Sequence, residues 1–260
     1  MTKSTFIHIE TLFLTLCAIW FSPAAFSQDG LFDGASEAGI LFSDEMTFGG
    51  DVCTFGIGGH FRKNTSVDYY KTRFYEIGFT TYRPAKQEWV YPYIRGYKRY
   101  VFGKINTVAM LRGSYGMTRK IADKPYWGGV TLDYVLAGGI TIAFAKPIYL
   151  YVMNIQRYED GILSYTESIE RYDPEKHNDI NILGSAPFAT GITETKIYPG
   201  VNVKTGLNFE YGEYSNVVKS LEVGLTADYL PKGIKVLAYN KDVNFCFSLY
   251  LSFIIGKRYN

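Results

Sequence analysis

The stretch of this 260-residue chain whose residue types come nearest to chemistry is Tyr172-Asp173-Pro174-Glu175-Lys176-His177-Asn178-Asp179. Side chains alternate along an extended segment, so Asp173, Glu175, His177 and Asp179 would line one side of it. Three carboxylates and an imidazole make a donor set for a divalent cation. A carboxylate–histidine pair is also what activates a hydroxyl nucleophile, and Ser164 and Ser185 lie in the same part of the chain. The second candidate base is His60, in Gly58-Gly59-His60-Phe61-Arg62, with Glu76 as its expected neighbour. Neither histidine sits in a spacing diagnostic of zinc or of a nucleophile elbow. Gly56-Ile57-Gly58-Gly59 falls inside an alternating stretch, not between a strand and a helix where a phosphate loop belongs. No motif implies a cofactor.

Composition sets the frame in which those residues must work. Apolar types make up 47% of the chain and charged types 20%, the balance of a folded protein and not of a disordered one. Lys and Arg number 27 against 25 Asp and Glu, which leaves no field strong enough to hold nucleic acid by phosphate neutralisation. Aromatic residues reach 17%, with 23 Tyr and 18 Phe, beside 26 Gly. That mixture belongs to strands and interfaces.

The first 27 residues read as a signal peptide. Lys3 supplies the basic start, Thr11 to Phe21 the apolar run, and Ala25-Phe26-Ser27 the small-x-small cleavage site. A membrane-spanning helix needs about 20 apolar residues, and Pro23 interrupts this run too early. The expected product is one exported domain, residues 28–260. Its two cysteines, Cys53 and Cys246, fall on opposite phases of the strand pattern (outward and inward), which argues against a disulfide between them.

Period-two alternation dominates the remainder. Val243, Phe245, Phe247, Leu249, Leu251, Phe253 and Ile255 form one apolar face, and alternate positions are mostly small or polar. An alternation of 13 residues exceeds an ordinary sandwich strand and suits a tilted strand crossing a bilayer. The same pattern over residues 217–229, 197–211 and 130–144, and less cleanly over 105–117, 74–81, 53–61 and 37–43, predicts an all-β, antiparallel up-and-down transmembrane barrel. It has eight strands, or ten if Gly138-Gly139 is a turn. Short connections near 62–72, 118–127 and 212–216 alternate with longer ones near 44–51, 83–97, 147–195 and 230–242, as outer-membrane barrels require. Within residues 147–195, Glu159-Asp160-Gly161 marks a hairpin standing above the membrane.

On these phases the lumen receives His60, Arg62, Glu76, Lys104, Arg112, Asp133, Lys204, Glu210, Glu222 and Asp228. An eight-stranded barrel is just wide enough for side chains to fill, and near-balance of charge is what burial demands. The set reads as a structural salt-bridge plug, with a proton or ion path as its rival. Register about the turn near 119–126 places Arg112 opposite Asp133, and the turn near Glu213 places Lys204 diagonal to Glu222.

The stretches TFGIGGHFRKN with KTRFYEIGF, FGKINTVAMLRGSYG, KPYWGGVTLDYVLAGGITIAFAKPIYL, and RYDPEKHNDINILGSAPF with IYPGVNVKTGLNFEYG resemble a porin-like family of outer-membrane β-barrels from Bacteroidota-type Gram-negative bacteria. The resemblance implies a barrel in the outer membrane and brings no activity, substrate or site residue with it. The expected role is an accessory barrel that binds lipid or another envelope protein through the 147–195 loop. The alternatives are a lipid-modifying enzyme using His177 or His60, and a narrow channel.

Overall fold

In the computed structural model the described residues are 44–92, 94, 96–123, 129–157, 163–178, 181–211 and 217–259. Residues 1–27, expected as a signal peptide, and the stretch 37–43, expected as a strand, lie outside them. The long alternating segments become strands β1 (Asp44–Cys53), β2 (Gly56–Asp68), β3 (Lys71–Tyr82), β6 (Asn106–Ala122), β7 (Val130–Pro147), β11 (Lys196–Tyr211), β12 (Val217–Ile234) and β13 (Val243–Tyr259). Each pairs antiparallel with its neighbour, and β1 closes against β13 in the order β1-β13-β12-β11-β7-β6-β3-β2. Closure leaves no barrel strand with an unpaired edge. The protein is an eight-stranded antiparallel β-barrel.

Gly138 and Gly139 do not form a turn. They lie inside the continuous β7, where a Cβ on Gly139 would meet the carbonyl oxygen of Gly113 at 2.0 Å. Close approach between β6 and β7 explains that glycine, and eight strands result. The first strand also differs from expectation: residues 44–51, read as an outer loop, form most of β1, which joins β2 through the two-residue turn Thr54-Phe55. Cys53 faces Tyr250 across the β1–β13 register. It therefore points into the barrel, as the buried Cys246 does, and both thiols are free.

One barrel end carries Tyr69-Tyr70, the junction from β6 to β7 and the junction from β11 to β12. The other carries residues 83–105, 148–195 and 235–242 besides the Thr54-Phe55 turn. These are called the turn end and the loop end below.

The outer wall is apolar. Phe48, Ile57, Ile77, Ile140, Val203, Leu225, Phe247 and Ile255 are all about half exposed or more. Aromatic rings pair across neighbouring strands on this face: Phe48 with Phe61 at 4.8 Å, Tyr75 with Tyr115 at 5.0 Å, and Tyr229 with Phe245 at 4.6 Å between centroids. No described helix is long and apolar enough to cross a membrane. Strands of 10 to 18 residues reach or exceed the 9–11 that a tilted strand needs to do so.

At the loop end the connections fold into a cap. Strands β8 (Tyr149–Arg157), β9 (Leu163–Arg171) and β10 (Ile182–Ser185) form a sheet ordered β10-β8-β9, beside the small pair β4 (Trp89–Val90) and β5 (Tyr100–Val101). Residues 159–161 lie outside the description, but the hairpin they were expected to turn is present as β8 and β9. Tyr100, Leu150, Val152, Tyr172 and Ile182 bury a second core there, with Phe102 and Ile148 against it. The cap has its own apolar centre, which is why so long a connection holds a fixed shape.

Candidate functional site

The barrel interior is polar through most of its height, and its side chains meet in tiers. Nearest the turn end, Arg258 donates to Glu45 at 2.9 Å and to Glu210 at 2.6 Å. Asn64 donates to Glu45 at 2.8 Å, and Asn208 to Asp133 at 3.3 Å.

The middle tier is a quartet. Arg62 on β2 donates through Nε and Nη2 to Glu76 Oε2 at 2.9 and 2.6 Å, and through Nη1 and Nη2 to the two oxygens of Glu222 at 2.8 and 3.1 Å. Lys204 Nζ donates to both oxygens of Glu76 at 3.0 and 3.1 Å and lies 3.1 Å from Glu222 Oε1. Tyr250 donates its hydroxyl to Glu222 at 2.8 Å. A Cβ on Gly206 or Gly224 would come within 2.6 or 2.7 Å of that hydroxyl oxygen, so the tyrosine reaches the quartet only because both are glycine. Two cations face two carboxylates, and Arg62 also lies over the Phe74 ring, 4.4 Å from its centroid.

Above the quartet, Arg112 grips Asp228 through Nε at 2.8 Å and Nη2 at 2.7 Å, while Thr141 donates to the same carboxylate at 2.8 Å. His60 Nδ1 lies 3.0 and 3.1 Å from the oxygens of Asp51. Ser114 donates to Asn202 at 2.8 Å. A gap of about 20 Å³ remains among these groups, room for roughly one water. Toward the loop end the lining turns apolar, with Val108, Met110, Ala143, Ala145, Leu230, Ile234, Val236 and Cys246 in one buried cluster.

Several expected partners change. Arg112 does not meet Asp133: the β6–β7 register sets it opposite Thr141, and Asp133 opposite Lys120. β6 runs on to Ala122, five residues past its expected end, while β7 begins at Val130 as the pattern indicated, so the turn is centred later in the chain and every pair shifts. His60 is held by Asp51, while Glu76 belongs to the quartet. Lys204 and Glu222 do touch, although in register Lys204 faces Thr226. Lys104 is buried but is not a lumen residue of a barrel strand. It precedes β6 under the cap, where its ammonium donates to Gln87 Oε1 at 3.1 Å.

Burial, reinforced by the charge of Arg83, pulls Lys104 down to about 8. Its folded-state value lies below the ordinary 10.5 of a lysine, so at neutral pH the charged form counts against the folded cap. That penalty fades as pH rises from about 8 to 10.5. Lys104→Met is therefore expected to slow protease cleavage of the outer connections at pH 7. The difference from wild type should close as pH approaches 10.5, and equal cleavage at pH 7 would contradict the account.

The acidic row also takes another form. Residues 174–176 are a turn, with the amides of Lys176 and His177 donating to Asp173 O at 3.3 and 3.0 Å. Asp173, Glu175 and His177 consequently do not line one side, and Asp179 lies outside the described residues. His177 is buried. Its Nδ1 accepts the Asp173 amide at 2.9 Å, leaving Nε2 to carry the proton toward Glu170 at 3.4 Å. Hydrogen bonds from Asn154 and Ser168, with that of His177, hold the Glu170 carboxyl down at about 2. Ser185 Oγ donates to Ala186 O at 3.3 Å. The histidine thus clamps the turn to β9. Among the described residues no group of three His, Cys, Asp or Glu side chains gathers to hold a metal ion.

The cap joins segments of opposite charge. Residues 83–105 carry six Lys or Arg against Glu88 alone, and residues 148–195 carry eight Asp or Glu against three Lys or Arg. Tyr97 donates to Glu167 at 3.1 Å, and the Ser185 amide to Lys98 O at 3.1 Å. Sequence reading missed this complementarity, although the two charge balances were there to be counted.

No family model and no curated protein matches the chain. Several solved structures are similar to it, three of them as follows. Neisserial surface protein A shares 12% identity over 84% of this chain and 97% of its own, with a TM-score of 0.40. Ail, the attachment invasion locus protein of Yersinia pestis, shares 8% over 84% and 100%, with a TM-score of 0.38. The N-terminal β-barrel domain of Pseudomonas aeruginosa OprF shares 9% over 82% and 96%, with a TM-score of 0.35.

Proposed function

We propose that this chain is an outer-membrane barrel of a Gram-negative bacterium, exported by residues 1–27, with a plugged lumen and a binding role carried by its cap. The observation that carries the reading is the succession along the barrel axis. A neutral quartet of Arg62, Glu76, Lys204 and Glu222 crosses the lumen, an apolar cluster follows, and a cap with a core of its own stands over both. A closed barrel with an apolar, aromatic-bearing outer wall supports a bilayer as its solvent. A filled interior supports occlusion over conduction, and a folded cap supports recognition, since binding surfaces are commonly built from loops on a rigid frame. The partner is another envelope protein or an envelope lipid.

The test has two arms. In planar bilayers the purified protein is expected to show no discrete conductance. The tagged protein, extracted at native level in mild detergent, is expected to retain a near-stoichiometric partner that is lost when residues 155–190 are replaced by a short linker, with the barrel still resistant to unfolding on a gel. Steady single-channel steps would overturn the occluded reading, and a partner retained without residues 155–190 would overturn the role of the cap.

A further inference from the structure

At the loop end, the tops of β6, β7 and β11 and the segment after β12 enclose a pocket of about 170 Å³. Three cations line it: Arg171, Lys196 and Lys235. One carboxylate joins them, Glu194, which already accepts the hydroxyl of Tyr149 at 2.6 Å.

The three cations come from separate segments, each fixed by backbone. Lys196 is paired in register with Ala145 at the start of β11. Lys235 lies in a segment tied to the rim by the Ile105 amide, which donates to Val236 O at 2.9 Å, and by the Asn106 side chain, which donates to Lys235 O at 2.7 Å. Arg171 ends β9 opposite Tyr149, and the next amide, that of Tyr172, donates to Ile148 O at 2.9 Å. None of the three forms an ion pair among the described residues, whereas the lumen arginines and Lys204 all do. Three like charges that share one carboxylate, itself taken by the Tyr149 hydroxyl, repel one another.

With Glu194 counted, the lining carries two positive charges in excess. A phosphate monoester carries about −1.5 to −2 at pH 7 and presents three acceptor oxygens, a match in sign, size and hydrogen-bonding capacity that a single carboxylate lacks. The arginine supplies a forked donor and the lysines point charges, the usual division of labour around phosphate. We propose that this pocket binds a phosphate monoester presented from outside, either on a small phosphorylated sugar or on the headgroup of an outer-leaflet glycolipid. The shared chemistry is the phosphate, and the volume beyond it takes the first atoms of its carrier.

The experiment uses the full-length protein in detergent micelles, titrated calorimetrically with inorganic phosphate and with glucose 6-phosphate. One saturable site is expected, with the sugar phosphate the tighter ligand. The double variant Lys196→Gln/Lys235→Gln should weaken binding at least tenfold. Lys232→Gln, at an exposed lysine that does not line the pocket, should leave it within twofold and thereby report that the fold is intact. Nanodiscs then separate the sources. Competition by phosphorylated but not dephosphorylated lipopolysaccharide assigns the site to lipid, and undiminished glucose 6-phosphate binding assigns it to a free sugar phosphate. No saturable binding of either soluble probe, or binding that the double variant leaves unchanged, overturns the proposal. The micelle titration does not depend on membrane placement or on a protein partner, so its failure would leave the proposed function standing.

Discussion

Arg62→Ala is expected to lower the stability of the folded barrel by about 3–5 kcal/mol, the usual consequence of removing one member of a buried charge set. The guanidinium makes four hydrogen bonds to Glu76 and Glu222. Without it both carboxylates depend on Lys204, and the quartet acquires a net negative charge in a space with almost no access to water. Lost packing over Phe74 adds to the cost, but the stranded charge dominates, which a second variant can show. In Arg62→Met/Glu222→Gln one cation and one carboxylate leave together, Lys204 keeps Glu76, and the glutamine carbonyl still accepts from Tyr250. Most of the stability should return, because a buried pair replaced as a pair is often near neutral. Urea unfolding in lipid vesicles, followed by tryptophan fluorescence and gel mobility, measures all three proteins. A loss below about 1 kcal/mol for Arg62→Ala would mean that water reaches the carboxylates, and the occluded lumen would have to be abandoned.

The quartet was partly legible in the sequence, and the reason is geometric. Period two assigns each side chain to a face, which placed Arg62, Glu76, Lys204 and Glu222 inside. Lys204 and Glu222 also sit on adjacent strands joined by a short turn, so proximity along the chain implied their contact. Arg112 and Asp228 belong to β6 and β12, which are not neighbours in the sheet, and the contact crosses the lumen. No pairing rule reaches across a barrel. Gly50 breaks the outward apolar row of β1 between Phe48 and Val52, so residues 44–51 read as a connection, which conceals Asp51 as the partner of His60. The cap core was hidden for a different reason. Tyr100 comes from one connection and Leu150, Val152, Tyr172 and Ile182 from another, without a common period, and packing between irregular segments leaves no repeat to count.

Arg112→Ala should come next in effect, about 3 kcal/mol, the lower end of the same range because this arginine side chain is 14% exposed while its partner is fully buried. Among the described residues Asp228 would retain only the hydroxyl of Thr141 as a donor, at 2.8 Å, too little for an ionised carboxylate in a water-poor interior. The sequence register and the folded barrel predict different rescues, and this makes the variant informative. If Asp228 is the stranded group, Asp228→Asn in the Arg112→Ala background removes the charge, keeps an acceptor for Thr141, and recovers stability. Asp133→Asn in that background acts in the turn-end tier beside Asn208, has no contact with Arg112, and should add its own effect independently. The reverse outcome, recovery with Asp133→Asn and none with Asp228→Asn, would require β6 and β7 to pair about residues 122–123. That register would bring the two residues face to face and dissolve the cross-lumen contact, and with it the argument that side chains from opposite walls close this barrel.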